Sequence, residues 1–145
     1  MKKQELIKVL KRGHLIHTVQ YGYQIVSAIV FDTVHSVGKG FGNSPRTLIS
    51  TEYKSVELTT EIITNQCQFD TEDINPYFST YFRYVEQQDK IISIMLVNDK
   101  WYPTIIQRAE LSHQTDQVVS LPYIKYVHEL QDIWNIMSKK QMVKI

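Results

Sequence analysis

The clearest periodicity lies near the end of the chain. Over 122–141, Tyr123, Tyr126, Val127, Leu130, Ile133, Trp134 and Met137 recur at steps of three and four, and Lys125, His128, Glu129, Asp132, Asn135 and Lys139 fall on the opposite side. That spacing predicts a long amphipathic helix with one apolar stripe. Ser120 and Pro122 suit its start, because a serine side chain can cap free amides and a proline has no amide to leave unpaired in a first turn.

Upstream the period shortens to two. Residues 78–85 alternate and are rich in aromatics, 86–90 is a polar break, 91–97 is a β-branched run, 98–100 is a turn and 101–107 resumes the strand pattern. Short connections of this kind predict a three-stranded, or larger, antiparallel meander. Pro103 lacks an amide donor, which predicts an edge position or a bulge for the third strand.

The first half carries a weaker pattern. Leu6, Ile7 and Leu10 predict a short helix over 2–12, stopped by Gly13. Over 24–37, Val26, Val30, Val34 and Val37 make a helical stripe, while the β-branched content equally suits a buried strand; helix is the expectation. Residues 52–64 read as a helix through Tyr53, Val56, Thr60 and Ile63 or as a strand through Val56, Leu58, Thr60 and Ile62, again with helix preferred. Helices at both ends and consecutive strands between them predict an α+β fold: an aromatic-rich antiparallel sheet packed with N-terminal helices and the long C-terminal helix. No repeat, low-complexity tract or linker breaks the chain, so 1–145 reads as a single domain.

Composition narrows the class. The 145 residues are 43% hydrophobic and 21% charged with a net charge of +1, the profile of an ordinary soluble domain. Apolar runs such as 94–97 are far short of the ~20 residues that cross a bilayer, and the basic, amphipathic N-terminus lacks the form of a secretory signal. The expectation is a cytoplasmic protein without a membrane span. A lone Cys67 can form neither an intrachain disulfide nor a zinc cluster.

Charge is unevenly placed. Residues 1–12 hold Lys2, Lys3, Lys8, Lys11 and Arg12 against Glu5, a net +4, and Lys139, Lys140 and Lys144 make the other end basic. Between Thr51 and Asp89, eight acids face Lys54 and Arg83, a net −6. The basic termini could hold a polyanion through counterion release, whereas the acidic middle would repel one and could itself imitate nucleic acid toward a basic partner.

Candidate chemistry is sparse. In the segment 38–46, Gly38, Gly40 and Gly42 alternate with Lys39 and Phe41 and lead to Arg46, a composition suited to an anion-binding loop. It fits neither the Walker nor the dinucleotide-binding spacing, so no nucleotide cofactor is expected. Its Lys39-Gly40-Phe41-Gly42 resembles the opening of the RNA-recognition octamer, but Asn43-Ser44-Pro45-Arg46 replaces the stacking residues that should follow. Arg108 and His113 share the R-x4-H spacing of HEPN ribonucleases, yet they follow a strand and not a helix of a helical bundle. His14 with His17, and Asp32 with His35, are three apart and would share a face only on a helix; without a further ligand signature no metal is expected. Asp70, Glu72 and Asp73 read as loop and turn residues and not as an acid/base pair.

Aromatic density remains. Tyr77, Tyr81 and Arg83 alternate with Phe78, Phe82 and Tyr84, so one set meets the core and the other is free for contacts. The expected function is a small non-enzymatic binding or inhibitory module acting on a host or partner protein, of the kind carried by phages and mobile elements. Its expected contact residues are Tyr77, Tyr81, Arg83, Trp101, Tyr102, Lys39 and Arg46. Nucleic acid at the basic termini and self-association stand as further partner options. The alternative is a metal-independent, toxin-like endoribonuclease in which Lys39 and Arg46 hold phosphate and His35 or His113 moves the proton.

Overall fold

Strand alternation, and not a helical stripe, governs most of the first half. The computed structural model describes residues 3–38, 46–48, 52–85, 89–109, 111 and 114–145, with backbone alone at 3–5 and 46–48. In order the elements are α1 (Lys3–Val9), β1 (Leu15–Thr18), β2 (Gly22–Val30), β3 (Thr33–Val37), β4 (Arg46–Leu48), β5 (Tyr53–Ser55) and α2 (Thr60–Asn65). They continue with β6 (Asp70–Ile74), β7 (Ser79–Tyr84), β8 (Lys90–Val97), β9 (Lys100–Gln107), β10 (Gln117–Ser120) and α3 (Val127–Met137). The strands make two antiparallel five-stranded sheets, ordered β4-β3-β2-β1-β5 and β10-β9-β8-β7-β6, so the class is α+β. Contacts divide the chain into two compact units, Met1–Glu57 with Tyr126–Gln131 and Ile145, and Leu58–Lys125 with Asp132–Lys144.

In the first unit, Leu6 and Leu10 from and beside α1 pack with Ile16, Val26, Val34 and Tyr53 from the sheet. The expected helix over 24–37 is instead the β2–β3 hairpin, with Val30 opposite Thr33 across a turn of Phe31 and Asp32. The reason is alternation: Gln24 and Val26 on β2, then Val34 and Ser36 on β3, are buried at steps of two. The expected helix over 52–64 is split. Its first part is β5, and α2 begins only after Thr59, whose side chain accepts the Ile62 amide as an N-cap.

Gln131 ties the start of the first sheet to α3. Its Oε1 accepts the Leu15 amide at 2.8 Å, and its Nε2 donates to the Gly13 carbonyl at 2.8 Å. The His14 and His128 rings lie 5.6 Å apart, and His128 stacks on Tyr126 at 5.4 Å. His128, placed by periodicity on the polar side of its helix, is therefore buried. The long helix over 122–141 is shorter than expected, at 11 residues. Residues before it are drawn into bridge pairing, Ile124 with Trp101 and Tyr126 with Glu57. The Glu129 carboxylate then accepts the Tyr126 amide at 3.0 Å, the acidic half of a capping box, so the start signal lies at 126–129 and not at Ser120 and Pro122.

In the second unit the expected meander over 78–107 is β7, β8 and β9, paired in register from Ser79–Leu96 and Leu96–Trp101 onward. Asn98 and Asp99 turn the β8–β9 hairpin with φ of 51° and 62°, a left-handed pair that their short polar side chains tolerate. Two strands not expected from the pattern extend the sheet: β6 on one side, where 70–73 was expected as loop, and β10 on the other. Pro103 therefore lies inside the sheet and not at its edge. Its cost is small because its neighbour across the ladder, Leu121, falls just past β10 and donates its amide to the Pro103 carbonyl at 3.0 Å. After α3 the tail turns back, burying Met142 and Val143 and donating the Lys144 amide to the Gln66 carbonyl at 2.8 Å. No described helix is long and apolar enough to cross a membrane.

Candidate functional site

The β6–β10 sheet has two unlike faces, and register assigns every residue to one of them. Directly paired residues share a face. One row across the sheet is Arg83, Ile92, Ile105 and Val119, and beside it run Tyr81, Ile94 and Pro103. On this inner face Tyr81, Ile92, Ile94 and Trp101 are buried, with the Tyr81 and Trp101 rings 5.9 Å apart. The other face carries Tyr84, Ile91, Ile106 and Val118 in one row and Phe82, Ser93, Thr104 and Ser120 in the next.

Two of the expected contact residues thus lie in the interior, and a third is half-buried on the same face. Tyr81 and Trp101 are core residues. Arg83 turns inward as well: its Nη1 donates to the Cys67 carbonyl at 2.9 Å and to the Met142 carbonyl at 2.7 Å, and its guanidinium lies 4.2 Å from the Trp134 ring centre. Burial pulls the Arg83 pKa down and the nearby Cys67 thiol raises it. The alternation along β7 is as expected, but the set that faces outward is Phe82 and Tyr84.

Tyr77 is exposed, held in a turn where Asn75 Oδ1 accepts the Tyr77 and Phe78 amides. Tyr102 is half-buried on the outer face, edge-on to Tyr123 at 6.1 Å, with the Lys100 ammonium 4.8 Å from the Tyr123 ring centre. Lys39 and His113 lie outside the described residues. Arg46 begins β4 with its backbone opposite Ser36, and His35 is half-buried on β3 opposite Thr47. Of the residues of the endoribonuclease alternative, His35 alone has a described side chain.

Among the described residues no three His, Cys, Asp or Glu side chains come together as metal ligands. His17 instead packs edge-on to Tyr23 at 5.2 Å. Burial pushes the Cys67 thiol up to about 12, against a smaller opposing pull from Arg83, so at neutral pH it is protonated and a poor nucleophile. Gly38, which opens the glycine-rich segment, has a packing reason: a Cβ there would run into the buried Gln24 amide.

The outer face holds a hollow of about 150 Å³, lined by Glu72, Phe82, Tyr84, Ile91, Ser93, Ile106 and Arg108. Its geometry follows from the strands. Phe82 and Tyr84 stand two apart on β7 and meet edge to face at 5.7 Å. Ile91 and Ile106 are directly paired and form the floor beside Tyr84. Arg108, just past β9, lies 5.0 Å from the Tyr84 ring centre and donates Nη2 to the Tyr84 hydroxyl at 2.8 Å. Glu72 enters from β6 because the β6–β7 register shifts between Thr71 and Asp73. These residues were legible in part: Ser93 between Ile92 and Ile94 marks the wet side of β8, and the hairpin register then carries Phe82 and Tyr84 to the same side.

An arrangement of two aromatics, two isoleucines, an arginine and a carboxylate around a small depression can seat one apolar side chain and orient a charge beside it. Comparison with protein-family models, with curated proteins and with solved structures finds no match to this chain.

Proposed function

We propose that this protein is a non-enzymatic binding module for a partner protein, which docks on the outer face of the β6–β10 sheet. The hollow is the observation that carries this reading. At about 150 Å³ it matches the space that takes a single benzene-sized ring, and it is below the ~300 Å³ at which small-molecule and cofactor pockets begin. Seating one Phe-, Leu- or Met-sized side chain there contributes about 1.5–3 kcal/mol, the size of an interface hot spot. Tyr and Arg, which dominate such hot spots, line it as Tyr84 and Arg108.

Charge sets the second requirement. Asp70, Glu72 and Asp73 are exposed along β6 beside the hollow, so the favoured partner presents a large apolar side chain with Lys or Arg next to it. A carboxylate row of this kind offers a basic partner what a phosphate backbone would, which is how an inhibitory role would work.

The test is selection of a random peptide display library on the purified protein, repeated on Ile106→Glu and Tyr84→Ser variants whose folding is checked by circular dichroism. Enrichment of peptides that join one large apolar residue to basic ones, with at least tenfold weaker binding to both variants, is expected. Equal binding to the variants, or RNA cleavage by the wild type that His35→Ala abolishes, would overturn the reading.

A further inference from the structure

The two edges of the β6–β10 sheet are built differently. β6 carries Asp70, Glu72 and Asp73, all exposed, and its register with β7 shifts between Thr71 and Asp73. Charge and a bulge are the usual guards of an edge against pairing with another strand. β10, Gln117–Ser120, has neither charge nor proline, and all four of its residues are exposed. Val118 is 58% and Val119 54% exposed.

The β9–β10 ladder fixes which main-chain groups point outward. Val119 is opposite Ile105, Gln117 is opposite Gln107, and the same register continues to Leu121 opposite Pro103, where the Leu121 amide donates at 3.0 Å. In an antiparallel ladder alternate residues bond the same neighbour. Gln117, Val119 and Leu121 therefore direct their amides and carbonyls toward β9, and Val118 and Ser120 direct theirs away from the sheet.

We infer that β10 is a pairing edge for a second copy of this chain, joined antiparallel about a two-fold axis that passes beside Val119. The pattern is self-complementary. Val118 of each copy exchanges two hydrogen bonds with Ser120 of the other, which uses all four outward donors and acceptors. At the centre Val119 meets Val119 of the second copy on the inner-face side, apolar against apolar, in the close spacing of a non-hydrogen-bonded pair. The outer row Tyr84, Ile91, Ile106 and Val118 then runs on across the axis. The guarded β6 edge blocks head-to-tail addition, so the assembly closes at two copies and does not grow. This goes beyond the protein-binding reading and does not depend on it.

So short a pairing makes a concentration-dependent dimer, with dissociation in the range of about 10 µM to 1 mM. Sedimentation of the full chain over that range should show the mass rising from 17.0 kDa toward twice that value. Amide exchange should show Val118 and Ser120 gaining protection with concentration, while Val119 and Leu121 are protected throughout. Val118→Pro removes an outward amide and no ladder bond, and should hold the protein monomeric with an unchanged melting temperature. Val119→Lys sets two ammonium groups against each other at the axis and should do the same, giving a second route if the proline variant misfolds. A mass of one chain at the top concentration, dimerisation of both variants as in the wild type, or rapid exchange of Val118 and Ser120 at every concentration would overturn the inference.

Discussion

A guanidinium that reaches two main-chain carbonyls and lies on an indole is a fastener, and Arg83 is placed as one. Its two hydrogen bonds join the segment after α2 to the C-terminal tail, and a lysine would lack the flat head that makes them while lying on the indole. Truncation takes a charged donor from both carbonyls, leaving the Gln68 side-chain amide on that of Met142, and strips the Trp134 ring of its cation. Arg83→Ala should cost about 2–4 kcal/mol, from charged hydrogen bonds at ~1.5–3 kcal/mol together with the contact to the ring, measured as a lower urea midpoint. From sequence the same arginine read as a contact residue, because an Arg beside Tyr81 on a strand looks alike whether its face is covered or bare. Gly38, read from sequence as part of an anion loop, also has a packing role that the sequence does not announce: a side chain there would have to displace the buried Gln24 amide.

At the scale of the element, the two hairpins show what a pattern can and cannot announce. Asn98-Asp99 at the β8–β9 turn carries the residues that left-handed turns prefer, and the turn was legible. The β2–β3 turn places Phe31 at φ 56° with 97% of its surface exposed, a residue type that neither the backbone nor the solvent favours there. Without Asn or Gly to mark it, the segment 24–37 read as one helix, since valines four apart satisfy a helical stripe as well as two short strands. Phe31→Asn relieves the backbone strain and should raise stability by about 1 kcal/mol, seen as a higher melting temperature. An unchanged or lower value would mean that the ring contributes to the fold in a way its exposure does not suggest. The strands β6 and β10 escaped notice for another reason: an edge strand exposed along its length has no buried side to impose alternation.

For the whole molecule, the α+β class was legible and its division into two five-stranded sheets was not, because sheet size depends on short polar strands that pair only in three dimensions. Global stability is tied to pH through Cys67. Its thiol goes from an ordinary value of 9.0 to about 12 in the folded chain. The folded state keeps a proton that the unfolded state loses, so stability falls as pH rises through the window from 9.0 toward about 12. The slope approaches about 1.4 kcal/mol per pH unit, and Cys67→Ala should remove it. Urea melts between pH 8 and pH 11 would check this, and a wild-type slope no steeper than that of the variant would refute it.

The partition of α3 bears on synthesis. The first sheet is complete in chain order by Glu57, yet the unit it belongs to also needs Tyr126–Gln131, including the Gln131 amide that serves Leu15 and Gly13. A nascent chain emerging from the ribosome must therefore hold that sheet unfinished while the entire second sheet is translated. Early folding from the N-terminus, the ordinary order for a growing chain, is here deferred until the last helix arrives.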